Sequence, residues 1–269
     1  MKGADQMRIA LVRQISVFIF LIGVSLVSTP AVSNEGSKIY TFAVDDWCPQ
    51  HCQDSDENEG YIIDIVRNIF ALRNLPIKIL YVPWQRAVRG TVRGQFDGLL
   101  TPTKTSNPEL LFHQQAVGHQ EYCIYAKRDS DWTYTGFSSF KSKSVAYLKG
   151  SGLGELDLYI EANKSEINTI QFAGNKNYVS DLFNFLDAGR ADTVIMTSDV
   201  YHFAVKQKVI SDRFKTMGCL GKELLYVGLS PENKERSEEI MLIIDDGIAK
   251  LRRSGKLKTI FETYGIPYF

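Results

Sequence analysis

The sequence predicts an α/β fold of two lobes that close on each other like a clamshell. Strand and helix signals alternate in two successive sets, which favours mostly parallel sheets flanked by helices. Two further strand-like stretches, "EYCIYAKR" (residues 121–128) and "ELLYVGLS" (223–230), bracket the second set as crossings between the lobes. The 269 residues are enough for two such lobes.

The elements follow in order. "IYTFAV" is a strand by its β-branched and aromatic content, and "DDWCPQHCQDSDENEG" is too polar to be core. "YIIDIVRNIFALRN" carries Ile62, Ile63, Val66, Ile69 and Phe70 at helical spacing. "IKILYV" is a second strand, Pro83 opens the helix "PWQRAVRGTVRG", and "FDGLLT" is a third strand. The second set runs "SVAYL", "LGELDLYIEAN", "INTIQF", "YVSDLFNFLDAGR" with Gly189 as its stop, "DTVIM" and "DVYHFAVKQ". Residues 234–266 read as helix, with Gly247 and Gly255 as weak points. Their apolar face of Ile240, Ile243, Ile244, Ile248 and Leu251 is expected to cover the first lobe. The first lobe is thus expected at 34–122 and 229–269, and the second at 123–228.

Residues 1–33 read as a secretory signal peptide. Lys2, Arg8 and Arg13 precede the apolar run "ISVFIFLIGVSLV", and Ala31 and Ser33 are small residues placed for cleavage before Asn34. Removing that leader leaves 28 of the 31 basic and 30 of the 31 acidic residues. Such a balance argues against a nucleic-acid surface. The periplasm is the expected compartment, and a monomer the expected state.

All four cysteines follow the leader, and in an oxidising compartment an even count suggests disulfides. Cys48 and Cys52 flank "PQH"; the rival reading is a metal site with His51, although no fourth ligand is evident nearby. Cys123 and Cys219 are expected to pair, with two buried free thiols as the alternative. None of the four histidines sits in a metalloprotease pattern or beside a nucleophile elbow, so no catalytic residue, metal or cofactor is expected.

Ligands of open α/β sheets bind outside the carboxyl ends of the strands. Trp47, Tyr61 and Trp84 are candidate aromatic walls, with packing of the loop as their other reading. Arg86 stands in the first turn of its helix, where the dipole does not favour a cation, so an anion partner or a surface ion pair is expected. Thr101, Thr103 and Lys104 follow the third strand, where hydroxyls can meet a solute or close a turn. Asn177 can cap the next helix, with Tyr178 facing the cleft. "MTSDVYHF" ends a strand on Thr197, Ser198 and Asp199, where a helix cap and a ligand contact can coexist, and a ligand amine would suit Asp199.

Taken together, these stretches resemble the extracytoplasmic solute-binding proteins of family 3. "FAVDDWCP", "GYIIDIVRNIF", "PWQRAVRGTVRGQFDGLL", "LDAGRADTVIM" and "IAKLRRSGKLKTIFETYGIP" carry the resemblance by their order and spacing. It implies a type II periplasmic-binding-protein clamshell with two hinge strands. It also implies capture of a small polar solute, an amino acid or related compound, for an ABC-type permease. A periplasmic enzyme on the same scaffold, such as a cyclohexadienyl dehydratase, and a sensing partner of a membrane receptor are the alternatives. The resemblance brings the loop "KGSGLGELD" to the ligand, with Ser151 and Gly152 as contacts at a helix start. Two departures stand out. The segment "GLLTPTKTSNPELLF" lacks the family's carboxylate-gripping Arg, and Lys104 has no bidentate fork. The usual second-lobe Asp falls on Thr197, two residues before Asp199.

Overall fold

The computed structural model describes residues 39–53, 58–174 and 177–268. The expected leader lies outside them. No helix among the described residues is long and apolar enough to cross a membrane.

The first sheet has the order β2-β1-β3-β10-β4. Strands β1 (Tyr40–Val44), β2 (Ile77–Tyr81) and β3 (Gly98–Leu100) run parallel, joined through helices α1 (Tyr61–Ala71) and α2 (Trp84–Val92). Strands β4 (Leu111–Phe112) and β10 (Val227–Leu229) add on with β10 antiparallel to both neighbours. The pleat explains the unbroken apolar runs. On β1, Phe42 and Val44 enter the core shared with α1 and the C-terminal helices, while Ala43 enters the core under α2. Both faces are covered, so the strand is apolar apart from Thr41.

The second sheet has the order β7-β6-β8-β5-β9. Strands β6 (Ser144–Leu148), β7 (Asn168–Phe172) and β8 (Thr193–Thr197) are parallel, with α3 (Glu155–Ala162), α4 (Tyr178–Asp187) and α5 (Ser198–Lys206) between and after them. On β8, Val194 and Met196 face one core and Ile195 the other. Strands β5 (Gly118–Lys127) and β9 (Phe214–Leu225) form a long antiparallel pair on this sheet. Residues 118–122, expected in the first lobe, therefore pair within the second sheet, while β10 puts Val227 and Gly228, expected in the second lobe, in the first sheet.

Those two strands carry the chain between the sheets. The pairing of Gly118 with Leu225 sits beside the first sheet, and Lys127 with Phe214 closes the far end. "ELLYVGLS" is two strands, with β9 ending at Leu225 and β10 beginning at Val227 after Tyr226. The stretch 214–222 is strand as well, although its lysines and glycines mask the signal. The disulfides Cys48–Cys52 and Cys123–Cys219 are formed, the second across the directly paired residues of β5 and β9. They leave no thiolate for a metal at Cys48 and Cys52, nor beside Glu121, where Cys123 and Cys219 lie.

The C-terminal stretch breaks into α6 (Lys234–Arg253) and α7 (Lys256–Tyr264) at Gly255, which has φ +77°. Gly247 is instead inside α6, where a Cβ would lie 2.4 Å from the Ile69 side chain. Its smallness lets α6 seat on α1. Asp97, before β3, is structural: it accepts from the Thr41 N–H and hydroxyl and pairs with Arg236 of α6.

Gly60, ahead of α1, has φ +114°, and an added Cβ would lie 2.3 Å from the Gln50 carbonyl oxygen. Only glycine combines that dihedral with that approach. Gly60→Ala is expected to cost about 2 kcal/mol or more, from strain and displacement of the Cys48–Cys52 loop. A thermal-unfolding comparison checks it; unchanged stability would contradict the packing described.

Candidate functional site

The carboxyl ends of β1, β3, β6 and β8 meet between the two sheets. Short, largely polar segments follow them: the turns Asp45–Trp47 after β1, Thr101–Thr103 after β3 and Lys149–Ser151 after β6, and the first residues of α5, Ser198 and Asp199, directly after β8. A cavity of about 610 Å³ lies among them, lined by Asp45, Trp47, Trp84, Thr101 and Thr103 on one side and Tyr122, Lys149 and Ser151 on the other.

Trp47 is the residue most engaged. Its backbone N–H donates to the His51 carbonyl at 2.9 Å and its carbonyl accepts from the His51 N–H at 3.1 Å, inside the loop that Cys48–Cys52 closes. This tight ring holds the indole out across the gap. It shares a void of about 30 Å³ with Tyr122, Ser151, Tyr178 and Thr197 of the second lobe, too small for a solute. On its other side a cavity of about 620 Å³ is lined by Tyr178, Val200 and Phe203. Trp47 thus divides the space between the lobes.

Beneath it lies a buried polar layer. The His51 Nδ1–H donates to the Asp45 carbonyl at 2.6 Å, and Nε2 lies 3.0 Å from the Thr101 hydroxyl, which also has the Leu100 carbonyl as an acceptor at 2.8 Å. Burial pushes the His51 pKa down to about 4, so the ring is neutral at pH 7. Thr101 has φ +66°, an uncommon conformation for a β-branched residue, and its N–H donates to the Tyr226 carbonyl. The Gln50 amide donates to the Asp199 carboxylate across the lobes. Tyr61 sits in the core against Phe261 and Tyr264, with its hydroxyl toward the same carboxylate. Burial first, and the Asp199 charge second, hold the Tyr61 pKa far above its ordinary value.

Burial pushes the Asp199 carboxyl up to about 6, against hydrogen bonds from Thr197, the Val200 N–H and Gln50 that lower it. Between about pH 4 and pH 6 the native state therefore binds more protons at this site than the unfolded chain does. The stability it contributes falls as pH rises through that window. His51 acts in the opposite sense, losing stability as pH drops from 6.5 toward 4, so the Asp199 effect is read by subtraction. The stability of the wild type minus that of Asp199→Asn is expected to be larger at pH 4 than at pH 7. A difference flat with pH would show that Asp199 titrates normally.

The other expected site residues divide as follows. Trp84, Thr101, Thr103 and Ser151 line the main cavity with Trp47, and Tyr178 and Thr197 line the void at the Trp47 tip. The Thr103 hydroxyl also accepts from the Ser106 N–H, so it serves its own turn. Gly152 opens onto a separate cavity of about 220 Å³ with Leu220 and Glu223. Lys104 is exposed and places its ammonium 4.2 Å from the Tyr226 ring centre. Arg86 is exposed and lines none of these cavities. Helix α5 begins at Ser198, and Thr197 is its N-cap residue. Sequence reasoning missed Asn107, Glu109 and Tyr122 on the main cavity. Only Tyr122 carried a signal, as an aromatic residue in a crossing strand.

A second groove, lined by Ser142, Ser144, Asn168 and Asp192, lies at the amino ends of β6 and β7, away from these turns. Its Asp192 binds the Ser144 N–H and hydroxyl and so closes the turn into β8.

The sequence profile of the bacterial extracellular solute-binding proteins, family 3, matches residues 40–267. No curated protein sequence matches. Among solved structures, the probable amino-acid ABC transporter extracellular-binding protein ytmK of Bacillus subtilis superposes with a TM-score of 0.65 at 19% identity, over 84% of this chain and 97% of that one. A putative L-cystine ABC transporter protein of Listeria monocytogenes gives 0.64 at 17% identity, over 85% and 96%. The P235GK mutant of ArgBP from T. maritima gives 0.60 at 18%, over 84% and 94%. At these identities the likeness is one of fold.

Proposed function

The chain belongs to the bacterial extracellular solute-binding proteins, family 3, and from that premise we propose that it captures one small polar solute between its lobes, an amino acid or a related compound, and hands it to an ABC-type importer. The observation that supports this most is the cavity of about 610 Å³ walled by strand-end turns of both sheets. A solute seated there touches both lobes, so it favours whichever lobe arrangement adds contacts and shifts the population toward it. Trp47 and Trp84 offer rings to one side, Thr101 and Thr103 offer hydroxyls, and Ser151 and Tyr122 answer from the other lobe.

The reading involves no bond-making step. His51 is neutral and spends both ring nitrogens on Asp45 and Thr101, so it holds the loop rather than moving a proton. Export by the leader at residues 1–33 and a periplasmic site of action complete the proposal.

A thermal-shift screen of polar metabolites tests it. A solute at 100 times its dissociation constant adds about 2.7 kcal/mol to stability, a readily measured rise in melting temperature. A screen across amino acids, amines and small organic acids that moves nothing would overturn the reading. Turnover of a bound compound would replace it with an enzymatic one.

A further inference from the structure

Resting on the solute-binding reading above, we infer that the cleft takes an organic cation without a carboxylate: an amine or guanidinium compound of the size of a decarboxylated amino acid. The main cavity carries three carboxylates, Asp45, Asp46 and Glu109, against one basic residue, the exposed Lys149. Two buried side-chain atoms on its wall have no hydrogen-bond partner, Asp45 Oδ1 and Asn107 Oδ1. Asn107 is only 6% exposed, so its side chain is built into the wall. Both orphan atoms accept and neither donates, and a buried acceptor left unpaired is costly. A ligand that brings donors to them removes that cost.

Lys149 is the one basic residue on the cavity, an exposed point charge, and the other nearby positive groups are committed elsewhere or absent. Lys104 rests on the Tyr226 ring. The Nδ1–H of His51 is held by the Asp45 carbonyl, and Asp45 Oδ1 lies 3.6 Å from that nitrogen without sharing its proton. No arginine occurs between Thr101 and Leu110, the turn that meets the cavity. A solute carboxylate would therefore face three like charges, with the Lys149 ammonium as its one cation and no bidentate partner. Asp199, the expected amine partner, already holds the Gln50 amide, which moves the ammonium site to Asp45 and Asn107. The indoles of Trp47 and Trp84 add ring faces, which attract cations and not anions.

Arginine and agmatine share one guanidinium and differ by the α-carboxylate, so the pair isolates the claim. Calorimetric titration of the purified full-length chain with agmatine, arginine, glutamine and glutamate is expected to rank agmatine at least ten-fold tighter than arginine, with no binding of glutamate. Asn107→Leu is expected to weaken agmatine at least ten-fold, whereas Asn107→Asp, which keeps the acceptor, retains it. Unchanged melting temperatures would show that both variants fold. Arginine, glutamine or glutamate binding as tightly as agmatine would overturn the inference while leaving solute capture intact. Agmatine binding that Asn107→Leu does not weaken would overturn the placement. Failure of all four to bind would overturn the inference, and the wider metabolite screen then judges the solute-binding reading separately.

Discussion

Replacing Cys123 and Cys219 together by alanine is expected to destabilise the protein by about 4 kcal/mol. The bond closes a loop with a sequence separation of 96, and the chain entropy it denies the unfolded state grows with the logarithm of loop length. It also joins facing residues of the two strands that carry the chain between the sheets, with Cys123 only 2% exposed. Denaturant unfolding of the double variant against the wild type measures the loss. A loss under about 1 kcal/mol would mean that the β5–β9 ladder alone holds the crossing. The Cys48–Cys52 bond closes only a four-residue separation, so its removal should cost less in stability and act mainly on the Trp47 loop.

Trp47→Ala is expected to weaken solute binding by about 100-fold or more, roughly 3 kcal/mol. The indole faces the two larger cavities and the small void between them, and its loop is fixed by the paired bonds with His51 and by Cys48–Cys52. A ring held in place before the solute arrives spends little entropy on binding. Trp84→Ala removes a ring from one cavity wall only and should cost less. Calorimetry with the solute found by screening checks both. Wild-type affinity in Trp47→Ala would place binding away from this tip.

The fold was legible because burial on both faces writes itself into a strand. "FAV" and "VIM" are continuous apolar runs, and their residues divide between two cores by the pleat. The helices of the first set were legible from spacing, as with Ile62, Val66 and Ile69. Residues 214–222 of β9 were hidden, since the partner β5 is distant in sequence and supplies the backbone bonds that these lysines and glycines do not advertise. Gly247 looked like a helix break, yet it serves a close approach to Ile69 that only the fold creates.

The site was half legible for a related reason. Residues just after a strand, such as Thr101 and Ser151, could be placed at the cleft from strand ends alone. Side-chain direction could not. Lys104 turns to Tyr226, Tyr61 turns into the core, and Gly152 opens on a different cavity. The bond from Gln50 to Asp199 joins residues 149 apart, and no local pattern announces it. Asn107 was invisible because its turn reads as ordinary "TSNPEL"; only its burial and its unpartnered oxygen single it out.

Hydrogen exchange with and without the solute that most raises the melting temperature tests the two-walled site most directly. Slowed exchange is expected on both walls at once, at residues 45–47 and 101–107 of the first lobe and at 149–151 and 197–199 of the second. Slowing confined to one lobe, or gathered at the groove of Ser142 and Asn168, would contradict it.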